Sequence, residues 1–90
     1  QEVVDPTVAA SAVVLALQTI VSRNADPVQQ LVVSVTSFRT SSEAFNVIPS
    51  RVTLRGTVRT LSRDLREMAG ARLKAICEAT AMAHGAQAHV

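Results

Sequence analysis

The chain has 90 residues, a formal net charge of +2 and a hydrophobic fraction of 48%, which predict one small globular domain over residues 1–90. An excess of two positive charges is too weak to indicate a nucleic-acid-binding protein. One cysteine, Cys77, excludes an internal disulfide framework and favours a cytoplasmic location. The longest apolar stretch, of about 14 residues, is shorter than a membrane helix of ~20, so we predict no membrane contact.

The first predicted element is a helix that starts at Asp5 and Pro6. An aspartate accepts hydrogen bonds from the free N–H groups of a first turn, and proline suits the first helical position. Leu15 falls on the polar side of this helix. The helix is predicted to end between Asn24 and Pro27. Apolar residues recur at helical spacing on the other side: Ala10, Val13, Val14, Leu17, Ile20 and Val21.

Two strands are predicted next, from Leu31 to Phe38 and from Arg51 to Thr60. In the first strand, Phe38 falls on the face opposite Val33, together with Val32, Ser34 and Thr36. The second strand alternates between Val52, Leu54, Gly56 and Val58 on one face and Arg51, Thr53, Arg55, Thr57 and Arg59 on the other. Such alternation predicts an antiparallel sheet that is covered on one side.

A second helix is predicted after Ser62, which can cap it, and before Gly85, which can end it. Its predicted buried stripe consists of Leu65, Ala69, Leu73, Ile76 and Ala83. A further strand is predicted to begin at Gln87 and run to Val90. The order helix, strand, strand, helix, strand predicts an α+β two-layer plait, with both helices on one face of an antiparallel sheet. It fits the ferredoxin-like order βαββαβ with the first strand missing.

No residue pattern in the chain predicts a catalytic centre. Cys77, His84 and His89 do not have the spacing of a compact zinc site and are interpreted as a buried thiol and two solvent-facing imidazoles. There is no Gly-x-Ser-x-Gly turn and no glycine-rich phosphate loop. We therefore predict that the chain alone is inactive and holds neither a metal nor another cofactor.

Two polar features leave alternatives open. A row of arginines forms either a carboxylate-binding site or a solvated sheet face that keeps the protein soluble. The row consists of Arg51, Arg55 and Arg59, with Arg39 nearby. Charged residues are mostly exposed, which favours the solvated face. Asn46 lies in a short apolar segment that ends at a proline. It is either a turn residue whose side chain hydrogen-bonds its own backbone or an amide presented to a ligand, and spacing alone favours the turn.

Two segments carry a resemblance that covers nearly the whole chain: Phe45-Asn46-Val47-Ile48-Pro49 and Val52-Thr53-Leu54-Arg55-Gly56-Thr57-Val58-Arg59-Thr60. Together they resemble the lid or dimerisation domain of M20 metallopeptidases. The likeness is strongest to the amidohydrolase branch, which includes hippurate, N-acyl-amino-acid and auxin-conjugate hydrolases. The chain departs from that family in the loop before Phe45, which is usually glycine-rich. The family's first strand, with its Gly-His motif, would precede Gln1.

The resemblance implies that the chain is a fragment of a larger two-domain enzyme acting on N-acyl amino acids. The other domain would hold a divalent metal such as zinc or manganese, while this domain pairs two subunits and covers the substrate. Asn46 and Arg59 match the family's substrate-binding residues. The expected partner is a second copy, bound through the edge strand from Leu31 to Phe38 and through the first helix.

Two other functions remain open at this point. One is a free-standing regulatory plait that binds a small ligand. The other is an RNA-binding plait, which the lack of aromatic residues on the predicted sheet face disfavours, because such plaits stack bases on aromatic side chains.

Overall fold

The computed structural model describes residues 4–20 and 30–90. Four elements follow one another along the chain: helix α1 (Pro6–Leu17), strand β1 (Val32–Thr40), strand β2 (Val52–Arg59) and helix α2 (Arg63–Ala83). The two strands are antiparallel, and both helices pack over the sheet face that carries its apolar side chains. This is the two-layer α+β plait that the order of elements predicted.

Helix α1 begins at the predicted residues and ends before its predicted last turn. The Asp5 carboxylate accepts the Thr7 N–H at 2.9 Å, which satisfies one free donor of the first turn. The helix ends at Leu17, and backbone hydrogen bonds between residues three apart carry the chain on to Ile20, whose side chain is buried. The predicted stop from Asn24 to Pro27 lies outside the described residues.

Strand β1 contains a β-bulge that the alternation of residues did not predict. The register passes from Val35 opposite Gly56 to Ser37 opposite Arg55, so Thr36 has no partner on β2. An extra residue on one strand moves every later side chain to the other face of the sheet. The bulge therefore divides β1 into two parts with opposite alternation.

The bulge corrects the predicted faces of β1. Phe38 lies opposite Leu54 on the core face, so the prediction that it shares a face with Val32 is wrong. The same shift places Arg39 opposite Thr53, on the polar face. β1 also continues to residue 40, past its predicted end at residue 38.

Gly56 lies beside the bulge, where the two strands approach closely. A Cβ atom at this position would overlap the backbone carbonyl oxygen of Ser34 and crowd the Cα of Val35. Any larger residue would have to push the strands apart, which accounts for a glycine inside an otherwise regular strand.

Helix α2 has the predicted signals at both ends. The Ser62 hydroxyl oxygen accepts the Leu65 N–H at 3.2 Å and caps the first turn. At the other end, the Ala86 N–H donates to the Ala81 carbonyl at 2.8 Å, and Gly85 adopts a φ of 74°. This is a Schellman motif, in which glycine takes the left-handed conformation without steric cost.

The buried stripe of α2 ends at a different residue from the one predicted. Ala83 is exposed, whereas Ala81 is only 4% exposed, so the prediction for Ala83 is wrong. Ile76 packs against the core as predicted, and the rest of the stripe advances in steps of four residues: Leu65, Ala69, Leu73, Cys77 and Ala81. Steps of four keep side chains above one another on one helix face, and residue 83 lies off this row.

An open trough of about 1220 Å³ lies between β2, the two helices and the last five residues. Val52, Leu54 and Val58 line it from the sheet. In the described part of the chain, no large side chain is fully buried. The predicted strand from Gln87 to Val90 is not formed there, because the trough lies between these residues and β2, and a strand needs a neighbour to pair with.

Candidate functional site

Arg59 is the last residue of β2 and lies opposite Val32 on the polar face of the sheet. Its neighbour Val58 packs against the core, because successive strand residues point to opposite faces. The Arg59 side chain is exposed. Its guanidinium can therefore meet a carboxylate without any rearrangement of the core.

The loop between β1 and β2 is held together at its base by Ser41. The Ser41 N–H donates to the Arg51 carbonyl at 2.9 Å. The Ser41 hydroxyl oxygen accepts the N–H groups of Ser50 and Arg51, each at 3.1 Å. These bonds fix both ends of the loop at the end of the two strands.

Asn46 lies at the tip of this loop, in a turn that the Val47 N–H closes by donating to the Ala44 carbonyl at 3.2 Å. The predicted turn is present, whereas the predicted bond from the Asn46 side chain to its own backbone is not formed among the described residues. Within the two described ranges the Asn46 amide makes no hydrogen bond, and the residue is exposed. The turn thus leaves the amide facing outward, where it can donate to a group from another molecule.

The residues around Asn46 are apolar and exposed. Phe45 is 102% exposed, Val47 52% and Ile48 54%. Exposed apolar side chains concentrated at one place on a surface are typical of a binding surface.

The structure places Asn46 and Arg59 at opposite ends of β2. Asn46 precedes the start of the strand and Arg59 ends it. Eight residues at ~3.4 Å each make β2 alone about 24 Å long from its first Cα to its last. The strand itself therefore does not bring the two side chains together.

The predicted arginine row divides into two groups. Arg59 stands alone at one end, while Arg51 and Arg55 lie toward the other end together with Arg39. The sequence pattern could not place Arg39 on this face, since the bulge that moves it there leaves no clear mark in the residues of β1.

His84 and His89 are exposed and Cys77 is half-buried. Across residues 4–20 and 30–90, no three His, Cys, Asp or Glu side chains lie close enough to hold a metal ion. Burial raises the pKa of the Cys77 thiol, and the negative charge of Glu78 raises it further, so the thiol is protonated at neutral pH. The family resemblance assigns its divalent metal to another domain, and these residues form no site that fits it. None of the helices described is long and apolar enough to cross a bilayer.

Comparison with known proteins finds one family, the peptidase dimerisation domain of M20 enzymes, which matches residues 1–85. An N-acetyldiaminopimelate deacetylase of Anoxybacillus flavithermus is 42% identical over 99% of this chain and 23% of that protein. A hippurate hydrolase of Campylobacter jejuni is 41% identical over 89% of this chain and 21% of that protein.

An IAA-amino acid hydrolase of Arabidopsis thaliana is 54% identical over 68% of this chain and 14% of that protein. The chain thus spans less than a quarter of the length of each of these three relatives. No solved structure matches the chain.

Proposed function

The chain belongs to the M20 peptidase dimerisation-domain family, and from this premise we propose that it pairs two subunits of an amidohydrolase and covers their substrate. The match over residues 1–85 is the observation that carries the proposal. The substrate class would be N-acyl amino acids, in keeping with the names of the relatives. The divalent metal would belong to a separate catalytic domain, and a cytoplasmic location remains a prediction that rests on the single cysteine.

The surface proposed for self-association combines the outer side of α1 with the free edge of β1. Val8 is 55% exposed and Leu15 72% exposed, and their spacing of seven residues puts them on the same side of the helix. Beside them, β1 pairs with β2 along one edge, and its other edge has no neighbour in the described sheet. An edge strand beside an apolar helix surface is well suited to pairing with a copy of itself.

We also propose that the chain is one part of a larger plait, whose first strand would fill the trough beside β2. The Ser41 N–H bonds to the Arg51 carbonyl, so Arg51 directs its backbone groups toward β1. Backbone directions alternate along a strand, so Val52 and Leu54 direct their N–H and C=O groups away from β1, toward the trough. A strand placed there would bond to these groups and give Gln87 to Val90 a neighbour.

Within such an enzyme, Arg59 would hold the substrate carboxylate and Asn46 would donate a hydrogen bond to the scissile carbonyl oxygen. A guanidinium matches a carboxylate in shape and charge, and an amide can stabilise a developing oxyanion. Because the two residues lie at opposite ends of β2, we propose that each active site takes Arg59 from one subunit and Asn46 from the other. Dimerisation would then be a requirement of catalysis.

The alternative function, a free-standing ligand-binding regulatory plait, is the weaker candidate. The relatives named above are hydrolases several times the length of this chain. An exposed apolar loop tip around Asn46 is also more useful to a domain that inserts into a neighbouring subunit than to a monomeric sensor.

Self-association can be tested by replacing Leu15. We expect the 90-residue chain to form dimers in sedimentation equilibrium, and Leu15→Glu to weaken the dimer at least tenfold, because a charge would be buried in the interface. Met82→Glu is the matched control, since Met82 is 75% exposed on the other helix and lies outside the proposed surface. A monomeric wild-type chain, or equal effects of the two substitutions, would contradict the proposed surface.

A further inference from the structure

The β-bulge gathers three arginines on the polar face of the sheet. Without the unpaired Thr36, Arg39 would point toward the helices; with it, Arg39 lies opposite Thr53. Thr53 lies between Arg51, the residue just before β2, and Arg55 within it, and in extended chain these arginines point to the same face as Thr53. Diagonal neighbours across an antiparallel pair lie about 7–8 Å apart at their Cα atoms, within reach of long side chains. The three guanidiniums therefore surround one concave area of the sheet.

This concave area is a cavity of about 570 Å³ whose lining has no acidic residue. It is lined by the three arginines and by hydroxyl-bearing side chains: Thr36, Ser37, Arg39, Thr40, Ser41, Arg51, Thr53 and Arg55. All three arginines are exposed. Within the described ranges one ion pair is formed, between Arg63 and Glu67 on α2, which leaves these arginines without a carboxylate partner.

Three like charges gathered in one place repel one another, so an anion that binds between them is favoured. We propose that Arg39, Arg51 and Arg55 form a binding site for a small anion that carries two or more oxyanion groups. Arg51 immediately precedes β2 and Arg55 lies four residues further along it, so extended chain puts their Cα atoms about 14 Å apart. Two separated groups on one ligand suit this spacing, and each guanidinium can take one group in a bidentate manner.

This site is distinct from the carboxylate site proposed at Arg59. Arg59 lies a further four residues along β2 and does not line the cavity. The ligand chemistry, two or more oxyanion groups on a small molecule, is shared by oligocarboxylates and by pyrophosphate-like compounds. A small ligand is favoured over a nucleic acid because the lining has no aromatic side chain on which a base could stack.

Calorimetric titration of the 90-residue chain with citrate, pyrophosphate and acetate at constant ionic strength tests this proposal. We expect citrate or pyrophosphate to bind at least tenfold more tightly than acetate, and the tighter of the two identifies the oxyanion type. Arg39→Gln and Arg51→Gln should each weaken that binding at least fivefold. Arg72→Gln, which removes the same charge outside the cavity, is the control and should change it less than twofold, while Arg59→Gln tells this cavity apart from the proposed substrate site.

Three results would overturn the proposal. The first is the absence of any preference for the polyvalent anions over acetate. The second is an equal loss of binding in all four variants, which would assign binding to general positive charge. The third is a loss confined to Arg59→Gln, which would place the anion at the proposed substrate site. Circular dichroism spectra that match the wild type show that each variant is folded. Failure of the dimer test would leave the anion-binding result unaffected.

Discussion

Asn46→Ala is expected to lower kcat about 100-fold in a full-length hydrolase that carries this chain as its dimerisation domain. The Asn46 side chain is exposed in a turn and makes no hydrogen bond in the described part of the chain, so its removal should leave folding intact. The loss would come from the transition state, in which the amide N–H group stabilises negative charge on the carbonyl oxygen. KM should change little, because this interaction strengthens as the oxyanion forms.

Asn46→Asp separates hydrogen-bond donation from side-chain shape. Aspartate has nearly the same size as asparagine but no N–H donor, so it should be at least as harmful as alanine. Glu43→Ala, at an exposed position of the same loop, is the matched control and should keep wild-type kcat. Steady-state kinetics with an N-acyl amino acid provide the measurement. If Asn46→Asp retains activity, the residue does not act as a donor.

Arg59→Ala is expected to raise KM at least tenfold in the same enzyme, with a smaller change in kcat. Arg59 would hold the substrate carboxylate in the ground state and the transition state alike, and the loss of such uniform binding appears in KM. Arg59→Lys should recover part of the affinity, since an ammonium keeps the charge but loses the bidentate geometry. Arg72→Ala removes an equal charge from α2 and should leave KM unchanged.

A substrate without a carboxylate completes this test. The N-acyl amide of the same amino acid should bind wild type and Arg59→Ala with similar KM values, because it has no charge for Arg59 to meet. A tenfold loss with both substrates would show that Arg59 supports the structure of the site rather than the carboxylate.

The features that the sequence predicted well depend on local chemistry. Asp5 and Ser62 each cap a helix with their own side-chain oxygen, which takes the N–H of a residue two or three positions away. Gly85 ends α2 in a left-handed conformation that glycine adopts without steric cost. Such signals lie within a few residues of one another, so they can be read before the fold is known.

The features that the sequence did not predict depend on the partner strand or on the assembly. The bulge at Thr36 arises from the register between β1 and β2, and it reverses the face of Phe38 and Arg39. A pattern within β1 alone cannot reveal it, because an extra residue shows only against a neighbouring strand. The strand predicted from Gln87 to Val90 also depends on a partner strand. It is not formed because, in the described part of the chain, no strand fills the trough between these residues and β2.

The separation of Asn46 from Arg59 is also a product of the fold. In sequence they are close, and the family resemblance assigns both to the substrate. The extended conformation of β2 puts them at opposite ends of the hairpin. Both assignments can hold for one substrate if two subunits contribute, which connects the dimerisation domain to the chemistry of the site.

The most direct test of this shared site is the activity of a heterodimer with one Asn46→Ala subunit and one Arg59→Ala subunit. Co-expression with two affinity tags allows the heterodimer to be purified, and kcat/KM is measured below KM. If each site takes Asn46 and Arg59 from different subunits, one site carries both substitutions and the other carries none. The heterodimer should then show about half of the wild-type kcat/KM, as expected for a two-fold symmetric pair. A heterodimer no more active than the mean of the two variant homodimers would show that both residues act within one subunit's site.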